Sequence, residues 1–234
     1  MAFIDFIFPK KCVCCKKLGS YLCENCFSYL SFEAKSLCLL CNNPSFNNLT
    51  HPRCHKKYSI DGCFSALSYN KTAQKLIYNF KYKPYLTDLK NVLVDLFYES
   101  IIQNEQFQSQ IKKGEWVFVP IPLSSSKLRK RGYNQAEILA KELSNKFKIP
   151  VQNFLERTKE TKTQVGLSNV QRKLNVKDAF EMSKYPSASS GFRKNCSIFL
   201  VDDVVTTGST LSEAAKILKR AGAQKVFGLT LARD

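Results

Sequence analysis

The chain has 234 residues, 44% of them hydrophobic, with 17 Phe and 10 Tyr; that excludes wholesale disorder and fits one full domain plus a small module at roughly 150 residues per domain. No apolar run is long enough to cross a bilayer, and the opening Ala2–Phe8 stretch, broken by Asp5 and stopped by Pro9, lacks the order of a secretory signal, so a soluble, cytoplasmic protein is expected. The 36 Lys and Arg against 19 Asp and Glu leave a net charge of +17, a field that attracts nucleic acid, phosphorylated metabolites or an anionic membrane surface, or else serves solubility alone.

Residues 1–60 carry no long amphipathic helix, and eight of the ten cysteines lie within residues 1–54. In a chain that is not exported, paired spacings favour metal over disulfides. The pairs are Cys12-x-x-Cys15, Cys23-x-x-Cys26, Cys38-x-x-Cys41 and His51-x-x-Cys54. Two ligands so spaced meet one ion across a tight turn, and two pairs complete a tetrahedron around Zn²⁺. Taken in order, Cys12, Cys15, Cys23 and Cys26 make one site, and Cys38, Cys41, His51 and Cys54 a second. A cross-braced pairing stays open, as do free buried thiols or redox disulfides. Cys14 is wrongly spaced from Cys15 to share a turn, and His55 competes with His51. One or two structural Zn²⁺ ions would supply folding free energy that this small, Cys-rich double zinc-binding module cannot draw from a core of its own.

From residue 61 the patterning changes. A strand is predicted over Phe64–Tyr69, then a helix over Ala73–Phe80. Leu89, Leu93, Leu96, Phe97 and Ile101 recur at helical spacing within 86–102. Trp116–Val119 is a short strand stopped at Pro120 and Pro122. Lys127, Arg129, Lys130 and Arg131 then crowd into five residues, read as a basic loop ahead of Gly132 and a helix over Asn134–Phe147. Ile149–Leu155 reads as another strand. Residues 156–177 read as a polar loop, able to close as a lid or to guide DNA, and 186–197 as a second loop. Ile198–Val201 is a buried strand, followed by an acidic turn, a helix over Ser209–Ala221 ending near Gly222, and a last strand over Val226–Leu231. Strands alternating with helices make 61–234 an α/β domain, a mostly parallel sheet flanked by helices.

The strongest chemical signal is the run from Ile198 to Leu211. Two carboxylates, Asp202 and Asp203, precede Val204 and a turn of Thr206, Thr207, Gly208, Ser209 and Thr210 that opens a helix. Backbone N–H groups there converge on an anion, Gly208 lets the backbone approach it, and the hydroxyls can donate to phosphate oxygens. The carboxylates can accept from vicinal sugar hydroxyls, so a ribose 5-phosphate satisfies the whole run. The bland alternative is an ordinary helix cap beside two solvated acids. Residues 116–195 hold 16 basic residues against 6 acidic, and a strand at Trp116 neighbouring the Asp202 strand would bring Lys127 and Arg131 to the ligand and leave Arg129 and Lys130 in solvent.

Residues 198–211 resemble the phosphoribosyl pyrophosphate (PRPP) motif of type I phosphoribosyltransferases. With the cysteine module ahead of it, the chain is similar to the ComF family, a group linked to DNA uptake in natural transformation. Phe80-Lys81-Tyr82, Val119-Pro120-Ile121-Pro122-Leu123, Arg131-Gly132-Tyr133-Asn134-Gln135-Ala136, and Gln164, Leu167, Arg172, Asn175 and Phe180 carry the same resemblance. His51 departs from it, standing where the family usually has Cys. The resemblance implies a type I phosphoribosyltransferase-like fold and PRPP bound with Mg²⁺, with Asp202 and Asp203 as the catalytic acids. It further implies single-stranded DNA as a partner, for which Arg129, Lys130, Arg131, Lys162, Arg172 and Lys173 are the candidates. DNA-uptake machinery at the inner membrane face and a second copy of the chain are further partners left open. The alternatives are an active phosphoribosyltransferase of nucleotide salvage or amine transfer, and an interaction protein whose site is vestigial.

Overall fold

A computed structural model describes residues 9–83, 86, 88–160, 169–183 and 192–234, the side chains of 169, 170 and 173 excepted. Past a single helical turn, α1 (Glu24–Phe27), the elements run β1 (Gly62–Ser68), α2 (Lys71–Tyr82), α3 (Leu89–Ile102), α4 (Glu105–Ile111) and β2 (Trp116–Pro120). They continue with α5 (Ser125–Arg131), α6 (Gln135–Phe147), β3 (Leu155–Arg157), α7 (Asn169–Val176) and β4 (Phe180–Met182), and close with β5 (Ser197–Val205), α8 (Ser209–Ala221) and β6 (Lys225–Arg233).

The main sheet has the order β1-β6-β5-β2 and every neighbouring pair is parallel. Parallel pairing demands crossovers, and the helices between the strands supply them. Its strands are near-continuous apolar runs because both faces are covered. On the face met by α3 and α6, register aligns Phe118, Phe199 and Phe227 across three strands. Trp116 stacks on Phe199 at 4.1 Å between centroids and Phe64 on Phe227 at 5.4 Å, giving a core of rigid, large side chains. The other face packs α8 through Leu211, Ala214, Ala215 and Leu218. β3 and β4 form a separate antiparallel pair. Among the described residues no helix is long and apolar enough to cross a membrane.

Several elements differ from the expectations. β5 runs on through Val205, so Asp202 and Asp203 lie inside the strand and not in a turn; continued pairing with β6 at Thr230 and Ala232 holds them extended. The basic loop is a helix, α5, closed by Gly132 in the left-handed region. Ile149–Leu155 makes only an isolated bridge from Val151 to Phe118 before β3 begins at Leu155. The polar loop 156–177 contains α7, and its residues 161–168 lie outside the described set, as do 184–191. α4 is an addition to the predicted elements; Asn104 caps it by accepting from the Phe107 N–H. The first sixty residues send Val13 and Leu30 into one of the body's clusters and Leu39 into the other.

Candidate functional site

The carboxyl end of β5 builds the first site. Neighbouring residues of a strand point to opposite faces, and the two acids meet different surroundings. Asp203 is buried and ion-paired to Lys81 Nζ at 2.8 Å, reached from the last turn of α2. Burial alone would lower the Lys81 pKa; Asp203 outweighs it and the net shift is upward. Asp202 Oδ1 accepts from the Asp203 N–H at 2.8 Å. Burial, and then the negative charge of Asp203, lift the Asp202 carboxyl to about 7, against the pull of Lys81 and Arg157. Gly208 follows with φ +69°, and a Cβ there would lie 2.6 Å from Leu39 Cδ2. The Thr207 and Ser209 hydroxyls are 2.8 Å apart. Residues 204–211 line a small hollow with Asp202 at the start of α8, where the partial positive charge of a helix N-terminus favours an anion.

Cations gather across from the acids. Burial, then the positive charges of Arg157 and Arg131, hold Lys127 below its usual pKa. The Arg157 guanidinium is likewise desolvated and lies within the field of Asp202. Arg131 Nη1 donates to Gln135 Oε1 at 2.9 Å and Nη2 to the Tyr82 hydroxyl at 3.2 Å, with its guanidinium over the Tyr82 ring. The rest of the Arg131–Ala136 signature holds this arrangement. Gly132 reverses the chain, the Tyr133 hydroxyl donates to the Phe80 carbonyl, and Asn134 caps α6 while donating to the Ile121 carbonyl at 3.0 Å. Glu160 accepts from the Ser126 N–H at 3.0 Å in the first turn of α5. Like charges pressed together under partial burial repel one another, and an anion between them would relieve that repulsion.

The second feature is a pair of metal-ligand clusters. Donor atoms of Cys12, Cys15, Cys23 and Cys26 lie within 4.8 Å of one another, as do those of Cys38, Cys41, His51 and Cys54. Tetrahedral ligands on bonds of about 2.3 Å stand roughly 3.8 Å apart; the Cys15 and Cys23 sulfurs are 3.5 Å apart, and Cys41 Sγ is 3.3 Å from His51 Nδ1. His51 Nε2 is 2.9 Å from the Pro44 carbonyl. A proton there leaves the Nδ1 lone pair for a metal. His55 instead meets Asp61 at 3.0 Å, which resolves the competition. Both clusters contain thiols pulled in opposite directions. Burial would raise Cys12, but backbone N–H groups of Cys15, Cys23 and Cys14 bring it down to about 6, while burial and its sulfur neighbours push Cys26 up. Cys54 is pushed to about 11, by desolvation and then by Cys41 and Cys38. Such clusters cannot shed all their protons unaided, and a divalent cation removes the conflict. Both can therefore hold a metal ion, and a sulfur-rich set with one imidazole suits Zn²⁺. Cys14 packs against the first cluster without belonging to its ligand set, its thiol 4.0 Å from the Thr72 carbonyl.

Of the sequence candidates, Asp202, Val204, Thr206, Thr207, Gly208, Ser209 and Thr210 line one hollow, Asp203 beside Asp202 pairs with Lys81, and Lys127 and Arg131 are half-buried on α5 within the field of Lys81. Arg129 and Lys130 are exposed on the same helix. Arg172 is on α7, which packs on α8. Lys162 and the Lys173 side chain lie outside the described residues, with Gln164 and Leu167. Sequence reasoning misses Lys81 as the partner of Asp203, and Arg157 on β3. A lysine one step before Tyr82 is a visible signal for the first; an arginine on a three-residue strand gives none for the second.

Residues 130–233 match the phosphoribosyl transferase domain family. The chain is 30% identical over 230 residues to competence protein F of Haemophilus influenzae, covering 92% of this chain and 97% of that protein. It is 27% identical over 223 residues to competence protein ComFC of Bacillus subtilis, 91% of this chain and 84% of the other. DNA utilization protein YhgH of Escherichia coli is 37% identical over 109 residues, 46% of this chain and 45% of that one.

Proposed function

The chain belongs to the family of competence protein F, and on that premise we propose that it binds PRPP with Mg²⁺ and handles single-stranded DNA during DNA uptake, in the cytoplasm, on a scaffold held by two structural Zn²⁺ ions. One observation carries the reading: an acidic pair at the carboxyl end of β5 runs directly into a left-handed glycine and a helix N-terminus, while Lys81 pairs with Asp203 and Arg157 lies within the field of Asp202. The ribose hydroxyls fall to Asp202 and Asp203, the 5-phosphate to residues 206–210, and the pyrophosphate to the cations, with Mg²⁺ completing its neutralisation. The relatives' names supply the link to competence and DNA utilization.

Single-stranded DNA fits the surface beside this site. Arg129 and Lys130 are exposed at the end of α5, and Tyr78 and Tyr82 on α2 are 57% and 49% exposed with ring centroids 4.9 Å apart. Cations flanking exposed aromatic rings can hold phosphates while bases stack. Calorimetry with PRPP and Mg²⁺ tests the first half: binding is expected, and Asp202→Ala with Asp203→Ala should abolish it. Fluorescence anisotropy of a labelled oligonucleotide tests the second. Each cation removed from a DNA phosphate lowers the log–log salt slope by about 0.7, so Arg129→Ala with Lys130→Ala should flatten it by about 1.4 and leave PRPP binding intact. Wild-type chain that ignores both ligands would return the vestigial-site alternative.

A further inference from the structure

Arg233 ends β6 and is 3% exposed, yet among the described residues its Nε, Nη1 and Nη2 have no hydrogen-bond partner. A guanidinium stays charged at any physiological pH and carries five N–H donors. Buried without an anion, it is strongly unfavourable. Its surroundings narrow the choice of anion. Arg233 pairs in register with Ser68 of β1 and Val205 of β5. Three residues beyond Val205 is Gly208, against which Leu39 rests. Leu39 follows Cys38, which is itself fully buried. The hollow of the phosphate loop is lined by Asp202 and residues 204–211, Arg233 not among them. Against the cost of its burial, the guanidinium is favoured by the Cys63 thiol and then by the Cys38 thiol. Cys63 is fully buried within the sheet and belongs to neither ligand cluster. Cys38 belongs to the second.

We propose that Arg233 is the counter-cation of the metal centre formed by Cys38, Cys41, His51 and Cys54, donating N–H groups to the Cys38 thiolate when the ion is bound. A divalent ion with three thiolates and a neutral imidazole carries one net negative charge, which one guanidinium balances. Hydrogen bonds to a ligating atom from the surrounding shell orient it and tune its donor strength. Arg233 is thus a positioning residue that acts through sulfur, and it fastens the centre to the strand beside the one that bears the acidic pair. The inference goes beyond the PRPP and DNA reading and requires only that the second cluster hold an ion.

The test uses the full chain carrying two Zn²⁺ ions, with release followed by a chromogenic chelator. Arg233→Met should make one ion leave at least tenfold faster and leave the other unchanged. In a Cys41→Ser background, which retains the first centre, the same substitution should have no effect. With Co²⁺ in place of Zn²⁺, losing the N–H donors should move the thiolate-to-metal charge-transfer band to lower energy. Arg233→Lys, which keeps the charge without the planar fork, should fall between and serves alone if the methionine variant does not fold. Unchanged release and an unchanged band, equal acceleration of both ions, or a wild-type chain that binds a single ion at the first cluster would each overturn the proposal.

Discussion

Asp202 shows how one carboxyl can be poised by its surroundings. It is lifted to about 7 by burial and then by Asp203, its neighbour in the chain. The sign follows directly. A raised carboxyl pKa means the folded chain holds a proton between about pH 4 and 7 that the unfolded chain gives up, so this group favours folding as pH falls through 7 and opposes it above. Vicinal hydroxyls donate best to the ionised form, so binding a ribose draws the proton off. PRPP affinity is therefore expected to rise with pH below 7, by at most tenfold per unit, and to level off above. Calorimetry at pH 6 and 8 measures it, and Asp202→Asn, which cannot titrate, should flatten the profile while the phosphate's own titration persists. Lys81 has a different task. Its 2.8 Å pair with buried Asp203 gives that side chain a counter-charge, so the two neighbouring acids meet different partners.

Between elements, the decisive contact joins the second ligand cluster to the turn that opens α8. Gly208 has a positive φ, and Leu39, between two candidate metal ligands, fills the space where its side chain would be. Gly208→Ala meets both objections at once. The strained backbone costs on the order of 1–3 kcal/mol before Leu39 is displaced, and a melt with and without PRPP should show lower stability together with weaker ligand stabilisation. The run around this glycine is legible in the sequence because strand, hydroxyl-rich turn and helix follow one another without interruption. α8 begins and ends where its caps predict, at Gly208 and Gly222. The ligand pairs are legible for the same reason, their spacing being local. What cannot be read is what arrives from a distance. Arg157 reaches the field of Asp202 only because a three-residue strand pairs with Phe180–Met182, and neither strand carries a periodic pattern. The extension of β5 through its acids depends on β6 lying alongside, and a pair of aspartates in isolation reads as a turn. α5 is hidden because four cations in five residues resemble a solvated loop until Gly132 closes them into a helix.

At the scale of the whole molecule, the cysteine-rich segment and the sheet do not own separate interiors. The first cluster's local core is little more than Cys12, Cys23 and Cys26, while Val13 and Leu30 join the cluster on the α3 face of the sheet and Leu39 joins the one beneath α8. Backbone bonds add to this: the Ser68 N–H donates to the Ser31 carbonyl, and Gly62 bridges Leu49 at the opposite end of β1. A module with a private core would melt by itself when its metal is withdrawn and leave the remainder standing. Shared packing forbids that, because loosening either ligand cluster uncovers apolar surface on the sheet it covers. Metal extraction is accordingly expected to lower the melting temperature of the entire chain in one transition, by on the order of 10 °C for a loss of several kcal/mol, with the Trp116 fluorescence and the far-ultraviolet helix signal falling together. Calorimetry that resolved two transitions, with the sheet's own melt unmoved by the chelator, would show the segment to be an appended domain.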